Sequence, residues 1–503
     1  MATQTDTENA PQLPHKEFLG HPVALWQLSN IEMWERFSYY GMRALLAVYV
    51  ATTFFSNYGA EANAEASLVY GGYTALVYAT GIIGGYIADH VLGYQRSILL
   101  GAIIMATGLF VLLVEDLHWF LVGLALIVAG NGLFKPNIST MIGKLYAPGD
   151  VRRDSGFTIF YMGINLGALI APIVTASWIG ATWGLKWGFF AAAIGMILST
   201  LFLEVAKKAL GNIGLPEKGK EGWLRFFVVG LGALVMAFFV YFLLSESEIL
   251  GWLLVGIMLA LAIYFIVAGI KSGDKVQLQR YIAMLILFVA NACFWALFEQ
   301  AGSSMNFFAR EYVTPIFGSM ETWQAGGFGI FQSLNPLYIL IFAPVFAAVW
   351  PWLEKRGMNP SIPRKFALGL IQVALGFYVL VLAIANFQNA AGLVPWIFLA
   401  LCYLLHTTGE LCLSPIGLSM VTKLAAAKET GMAMGGWFLS IAMAQYVAGI
   451  IAAVASGGHG PELGAGIAQY SDTYMMLFWV GLSFGITYLA VAPLINKLMH
   501  GVK

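Results

Sequence analysis

Charged residues are scarce in this chain. Lys, Arg, Asp and Glu make up 10% of its 503 residues, whereas hydrophobic residues make up 59%. Soluble domains carry about 25% charged residues, so the composition excludes an ordinary soluble protein and favours a helical protein that crosses the lipid bilayer many times. The 26 basic and 26 acidic side chains balance, which gives no reason to expect a nucleic-acid partner.

Cysteine and histidine are few as well. Cys293, Cys402 and Cys412 lie in apolar stretches without a Cys-x-x-Cys pair, so we expect neither a disulfide framework nor a redox site. The seven histidines form no His-x-x-x-His pair, and we expect no metal site. A membrane-embedded hydrolase needs a metal cluster or a paired nucleophile and base, so we expect no cofactor and no enzymatic activity.

Apolar runs of spanning length set the organisation of the chain. Six runs precede the polar segment 211–222, two follow it, and six more lie beyond a basic stretch. Assigning the loops alternately to the two sides puts most Lys and Arg residues on the side of the termini, which are therefore predicted to be cytoplasmic. The predicted domains are a cytoplasmic N-terminal tail (1–21), an N-terminal six-helix bundle (22–208), a linker with an inserted two-helix hairpin (209–276), and a C-terminal six-helix bundle with a short cytoplasmic tail (277–503).

Two carboxylates and two arginines lie within the first run. Glu32, Glu35, Arg36, Tyr40 and Arg43 fall on one stripe of a helix that rises about 16 Å, half the hydrocarbon core. Ionisable groups at this depth usually face one another or a water-filled cavity on an ion or proton route. The alternative is a structural salt bridge that locks two helices, which two carboxylates and two arginines on one stripe disfavour.

Lys135 and Asn165 are polar residues of the fourth and fifth runs. Lys135 lies beside Pro136, where a broken hydrogen-bond ladder can hold a cation next to a cavity; the alternative is that it snorkels to the inner surface. Asn165 shares a helix face with Tyr161, and it suits a substrate contact and a bond to a neighbouring helix equally well.

The second half carries isolated acidic residues. Trp295 and Glu299 lie one turn apart, and Glu299 is predicted either to take up a proton or to pair with Arg310 near the outer surface. In a later run Glu410 and Ser414 repeat this spacing, with Glu410 the clearest acidic charge of the second half.

Two further residues mark this half as suited to a cavity. Asn335 precedes Pro336, and this pair is predicted to interrupt its helix. Trp437 follows two glycines and either lines a cavity or lies in lipid. A zwitterion would fit across a cavity with one cationic side, Arg36, Arg43 and Lys135, and one anionic side, Glu299 and Glu410. Aromatic side chains would surround it: Tyr40, Tyr78, Trp295 and Trp437.

Four segments resemble signatures of the proton-dependent oligopeptide transporter family, the POT or PTR2 family of the major facilitator superfamily. They are EMWERFSYYG at 32–41, GGYIADHVLG at 84–93, FYMGIN at 160–165 and GELCLSPIG at 409–417. The resemblance covers nearly the whole chain, and the inserted hairpin is similar to that of bacterial members. It implies the major facilitator fold, with twelve core transmembrane helices in two six-helix bundles and two inserted helices, fourteen in total.

The resemblance also implies roles for individual residues. Glu32, Glu35 and Arg36 correspond to a coupling motif with Lys135 as salt-bridge partner, and Glu299 corresponds to a carboxyl group in proton coupling. Glu410 corresponds to the site for the peptide amino terminus, and Arg43 with Lys135 to the site for the carboxylate. The other predicted peptide-binding residues are Tyr40, Tyr78, Asn165, Trp295, Asn335, Ser414 and Trp437.

The implied function is proton-coupled symport of di- and tripeptides across the cytoplasmic (inner) membrane by alternating access, with the proton as coupling ion. One alternative is a transporter of the same fold for nitrate or another organic anion. Another is a peptide facilitator or exporter without proton coupling. No obligate protein partner is expected.

Overall fold

This computed structural model describes residues 16–147, 149–216, 219, 222–457 and 466–502. Most of the predicted tail 1–21, and part of the predicted linker, lie outside these residues. The regular secondary structure of the described residues is helical, apart from an antiparallel hairpin of β1 (Glu17–Phe18) and β2 (His21–Pro22) and one isolated bridge between Val313 and Val394.

The α-helices are, in chain order, α1 (Val23–Thr53), α2 (Ala62–Ala79), α3 (Gly81–Ile87), α4 (Tyr94–Val111), α5 (Leu117–Lys144), α6 (Arg153–Pro172), α7 (Ala181–Trp183), α8 (Leu185–Leu210), α9 (Trp223–Ser245), α10 (Ser247–Lys271), α11 (Lys275–Phe298), α12 (Ser304–Tyr312), α13 (Met320–Ala325), α14 (Leu334–Glu354), α15 (Ile362–Asn386), α16 (Trp396–Leu424), α17 (Thr430–Gly457) and α18 (Gly466–Leu498). Tighter 3₁₀ segments span Ser56–Glu61, Glu299–Gly302, Gly327–Ser333 and Ala427–Glu429, and wider π segments span Ala88–Leu92 and Ile173–Gly180.

Thirteen helical segments of the described chain are long and apolar enough to cross a membrane. Some of them run through a 3₁₀ or π segment, as Lys275–Tyr312 does. The first helix, α1, has 31 residues and thus also the length to span a bilayer, but its glutamates and arginines lower its hydropathy. With α1 the total reaches the predicted fourteen, and the predicted all-α polytopic membrane protein is confirmed.

Packing divides the helices into two compact units. The first comprises residues up to Gly41, Thr80–Ala171 and Phe189–Tyr241; the second comprises Met42–Ala79, Pro172–Gly188 and the chain from Phe242 onward. The predicted domain bounds at 22–208, 209–276 and 277–503 stay predictions.

Glycines allow close helix packing inside each unit. In the first unit a Cβ atom on Gly101 of α4 would come within 2.6 Å of the carbonyl oxygen of Gly130 on α5. In the second unit a Cβ atom on Gly71 of α2 would come within 2.7 Å of Gly449 Cα on α17. Only glycine therefore fits at these crossings, as is typical where membrane helices approach backbone to backbone.

Candidate functional site

The charged stripe of α1 forms a buried cluster in the first unit. Arg36 Nε lies 3.1 Å from Glu32 Oε1 and also donates to Glu35 Oε2. The three side chains are at most 3% exposed. The ring of Tyr39 lies 5.2 Å from Arg36 Cζ, a cation–π contact. The helical spacing thus brings two carboxylates to one guanidinium.

Polar atoms of this cluster remain without hydrogen bonds. Glu32 Oε2, Glu35 Oε1 and Arg36 Nη2 are buried and have no hydrogen-bond partner within the described residues. Lys135 of α5 interacts electrostatically with Glu32, so two cations face two carboxylates. Buried carboxylate oxygens without a partner are unusual, and they are places where a proton can be held.

Tyr40 and Asn165 also belong to the first unit. The rings of Tyr39 and Tyr40 meet edge to face at 5.2 Å, and Tyr40 interacts electrostatically with Arg36. Asn165 of α6 is buried and donates through Nδ2 to the carbonyl oxygen of Tyr161 at 2.9 Å. The amide nitrogen of Asn165 is thus bonded within α6, and a contact of Asn165 with a peptide stays a prediction.

Arg43 lies on the part of α1 that belongs to the second unit. Its Nη2 donates to Glu299 Oε2, and its Nε donates to the Tyr70 hydroxyl oxygen at 2.5 Å. Glu299 is 2% exposed and opens the 3₁₀ turn that follows α11. The alternative pair of Glu299 with Arg310 is not formed, because Arg310 pairs with Glu311 at 3.9 Å. A buried ion pair therefore joins α1 to the end of α11.

The turn Glu299–Gly302 leaves room for Tyr70. A Cβ atom on Gly302 would overlap the hydroxyl of Tyr70, so this glycine is required for the phenol to reach Arg43. Sequence reasoning missed Tyr70. Its signal is a stripe of polar residues on α2, since Tyr70, Thr74 and Tyr78 follow at four-residue intervals.

Glu410 of α16 is the second carboxylate of this unit. Asn335 Nδ2 donates to Glu410 Oε2 at 2.8 Å and to Thr407 Oγ1 at 3.1 Å. Asn335 and Pro336 lie in the first turn of α14, where the missing proline N–H has no helical partner to lose. The Asn-Pro pair therefore begins a helix after a 3₁₀ segment, and it presents the amide to Glu410.

Arg43 is near both carboxylates. Glu410 interacts electrostatically with Glu299 as well as with Arg43. Two acidic groups thus compete for one guanidinium, and a proton on one of them, or a ligand ammonium beside the other, changes the balance. This is the arrangement in the second unit with the clearest capacity to couple a proton to a charged ligand.

The predicted aromatic residues differ in their surroundings. Trp295 packs against Phe294 and Phe298, with ring centroids 5.6 and 5.1 Å apart, and its buried Nε1 has no hydrogen-bond partner in the described part of the chain. Trp437 is 2% exposed and lies between Phe288 and Phe366, in the helical core and not in lipid. Tyr78 and Ser414 are half-buried.

Two other features have packing roles. His406 is buried, with Nε2 lying 3.1 Å from the carbonyl oxygen of Val373 and its ring 4.9 Å from that of Phe377. A Gly-x-Ser-x-Gly pentapeptide at 481–485 lies inside α18, where Gly481 and Gly485 pack against a neighbouring helix, and not at the strand-to-helix turn of a hydrolase. Within the described residues no three His, Cys, Asp or Glu side chains form a potential metal site.

The POT family model matches residues 95–464. The chain belongs to the POT family. The uncharacterized transporter YclF of Bacillus subtilis (strain 168) is 36% identical over 520 aligned positions, which cover 100% of both chains. The peptide transporter YePEPT of Yersinia enterocolitica subsp. palearctica is 37% identical over 91% of each chain, and the dipeptide and tripeptide permease B of Edwardsiella piscicida is 32% identical over 98% of each.

Solved structures of POT members have the same fold. A mutant of peptide transporter POT in complex with alafosfalin superimposes with a TM-score of 0.81 and 37% identity, over 97% of this chain and 98% of that one. A POT family transporter in complex with 5-aminolevulinic acid gives a TM-score of 0.79 and 30% identity, over 96% and 99%. The predicted major facilitator fold of this POT-family chain is thereby confirmed.

Proposed function

We propose that the protein imports di- and tripeptides together with protons, by symport through alternating access, and that it has no enzymatic activity. The observation that carries the proposal is the guanidinium of Arg43, bonded to the buried Glu299 and electrostatically coupled to Glu410. Membership of the POT family supports it, as do relatives whose names describe peptide transporters and dipeptide and tripeptide permeases.

The proton would act on the ion pair between Arg43 and Glu299. Protonation cancels the charge of Glu299, so the guanidinium loses its closest counterion, whereas its hydrogen bond to the neutral Tyr70 hydroxyl remains. The ends of α1 and α11 are then able to separate. In the first unit, the cluster of Glu32, Glu35, Arg36 and Lys135 offers a second place for a proton.

The peptide would be recognised by its two charged ends. Glu410, oriented by Asn335, suits the ammonium, because a carboxylate with an anchored side chain loses little entropy on binding. Arg43 and Lys135 suit the carboxylate. Tyr40, Asn165 and Asn335 are proposed for the peptide backbone, and Tyr78, Trp295, Ser414 and Trp437 for the pocket walls, where aromatic side chains accept varied peptide side chains.

We further propose that the protein lies in the cytoplasmic (inner) membrane with both termini in the cytoplasm. This orientation places the basic loop residues Lys144, Arg152, Arg153, Lys355 and Arg356 on the inner side, in accord with the positive-inside rule. The proposal needs the bilayer, the peptide and the proton, and no cofactor or obligate protein partner.

Recognition of the amino terminus is tested with Glu410→Gln in liposomes. For the unaltered protein, unlabelled dialanine should compete with uptake of labelled dialanine, whereas N-acetyl-dialanine and nitrate should not. The variant, which keeps an acceptor for Asn335 but not the charge, should take up dialanine at least about tenfold more slowly at low concentration, since a charged hydrogen bond is worth about 1.5–3 kcal/mol. Uptake by Glu410→Gln at the normal rate would mean that Glu410 does not bind the peptide. Competition by nitrate would favour an anion carrier.

A further inference from the structure

A cavity lies at the start of α1. It has a volume of about 740 Å³, within the range of ligand-binding pockets. Its walls come from the residues around β1, from α1 and from α8, all within the first unit: Lys16, Glu17, Phe18, Val23, Trp26, Gln27, Asn30, Phe202 and Val205. Nothing in the proposed peptide transport uses these residues.

One side of this cavity belongs at the membrane surface. Phe202 and Val205 of α8 are exposed apolar residues next to Trp26, and tryptophan is enriched at membrane–water interfaces. The turn between β1 and β2 also exposes an apolar side chain, because Leu19 is 72% exposed, with a φ of 50°. An exposed leucine at a hairpin tip suits contact with the apolar part of a membrane interface.

The hairpin is fixed in place. Arg152 Nη1 donates to Glu17 Oε1 at 2.8 Å and to the carbonyl oxygen of Gly20 at 3.2 Å. Trp26 Nε1 donates to the carbonyl oxygen of Phe18 at 3.0 Å. Arg152 pairs with the carboxylate of Glu17, so this carboxylate does not neutralise the adjacent Lys16, whose ammonium can attract a ligand. The cavity is therefore a built feature with one cationic side.

The wall formed by α1 offers hydrogen-bond acceptors. Gln27 and Asn30 lie three residues apart and thus on one face of α1. Gln27 Oε1 and Asn30 Oδ1 are buried and have no hydrogen-bond partner in the part of the chain that the structure describes. Both side chains line the cavity, and a half-turn of each terminal amide exchanges its buried oxygen with its NH2 group. Buried amide oxygens usually have a donor, and a single ammonium has enough N–H groups for both.

We propose that the cavity binds the headgroup of phosphatidylethanolamine, a phospholipid with a primary ammonium. The ammonium donates to the amide oxygens of Gln27 and Asn30, the phosphate lies beside Lys16, and the acyl chains follow Phe202 and Val205. Phosphatidylcholine has no N–H donor for the amides. The hydroxyl groups of phosphatidylglycerol can donate to them but carry no charge, so their hydrogen bonds are weaker than those of an ammonium. The inference goes beyond peptide transport and does not depend on it.

The test is lipid retention. The full-length protein is purified in detergent with equal amounts of the three phospholipids, washed, and analysed by native mass spectrometry. Phosphatidylethanolamine should be retained about tenfold better than phosphatidylcholine, the difference that one charged hydrogen bond makes. Gln27→Leu combined with Asn30→Leu should abolish this preference, whereas Asn386→Leu, at an exposed asparagine of α15, should not.

A second variant avoids any disturbance of α1. Val205 is 59% exposed, so Val205→Trp leaves the helix core intact while its indole fills the cavity from the lipid side. This variant should abolish the preference for phosphatidylethanolamine. Val205→Ala is the control and should retain the preference. Equal retention of the three lipids by the unaltered protein would overturn the proposal. So would a preference for phosphatidylglycerol that depends on Lys16 alone, or binding of soluble phosphoethanolamine as tight as that of the lipid, because the acyl chains would then contribute nothing.

Discussion

Replacing Glu299 with Gln is expected to separate proton coupling from peptide movement. The side chains of Arg43 and Glu299 are 12% and 3% exposed, and two unit charges 4 Å apart attract each other by about 4 kcal/mol at an effective dielectric constant of about 20. Glutamine keeps the shape and an acceptor oxygen but loses the charge. The balance between paired and separated helix ends should shift by up to about a thousandfold. Arg43 would still donate a hydrogen bond to Tyr70 and interact electrostatically with Glu410.

Uptake into liposomes measures the effect. One pH unit supplies about 1.4 kcal/mol per proton, enough for a tenfold accumulation, and 100 mV supplies about 2.3 kcal/mol per charge. The unaltered protein should therefore concentrate labelled dialanine, whereas Glu299→Gln should only equilibrate it and still exchange peptide in counterflow. Glu311→Gln is the matched control, because Glu311 bonds Asn63 at 3.1 Å and not Arg43. Concentrative uptake by Glu299→Gln would refute the reasoning.

Three further predictions concern other contacts. Asn335→Ala removes the donor 2.8 Å from Glu410 Oε2 and should raise the KM for dialanine about tenfold, since the carboxylate is no longer oriented. Gly302→Ala puts a methyl group onto the Tyr70 hydroxyl and should lower both the uptake rate and the thermal unfolding temperature. Hydrogen bonds from the guanidinium of Arg152 lower the pKa of Asp150 below its ordinary 3.8. The stabilising contact is therefore complete above about pH 4 and is lost only as the pH falls through the lowered pKa. Hydrogen exchange of residues 146–155 should be the same at pH 7 and pH 5 after correction for the intrinsic rate.

Matched controls apply to these predictions. Asn386→Ala changes an exposed asparagine. Gly256→Ala changes a glycine of α10 whose added Cβ would come within 4 Å of no described atom beyond its own stretch of helix. Both variants should behave like the unaltered protein. A normal KM for Asn335→Ala would mean that Glu410 needs no orientation. Normal uptake by Gly302→Ala would mean that the contact of Tyr70 with Arg43 is dispensable, and faster exchange of residues 146–155 at pH 5 would contradict the assignment to Asp150.

The features that sequence reasoning anticipated are local ones. Helical spacing alone puts Glu32, Glu35 and Arg36 at neighbouring positions, and the structure has them in contact. Apolar runs likewise predict the spanning helices, because a bilayer imposes their length. The first of the two runs predicted after the polar segment 211–222 corresponds to α9 (Trp223–Ser245).

The contacts between distant residues were not predictable in this way. Periodicity carries no information on which residue of another helix faces Arg43, and its partner Glu299 is 256 positions away. Neither does spacing indicate that α11 ends at Phe298, so Glu299 lies in a 3₁₀ turn and not on the helical stripe of Trp295. The bond of Asn335 to Glu410 depends on where α14 begins, which the Asn-Pro pair marks only as an interruption.

The measurement that tests the account most directly is uptake of labelled dialanine by the unaltered protein in liposomes, with and without an inward proton gradient. Proton-coupled symport predicts that the labelled peptide accumulates above equilibrium only with the gradient, and that unlabelled di- and tripeptides block this accumulation. Equilibration at the same rate and to the same level without the gradient would contradict it, and would leave the buried glutamates and arginines as structural ion pairs in a peptide facilitator.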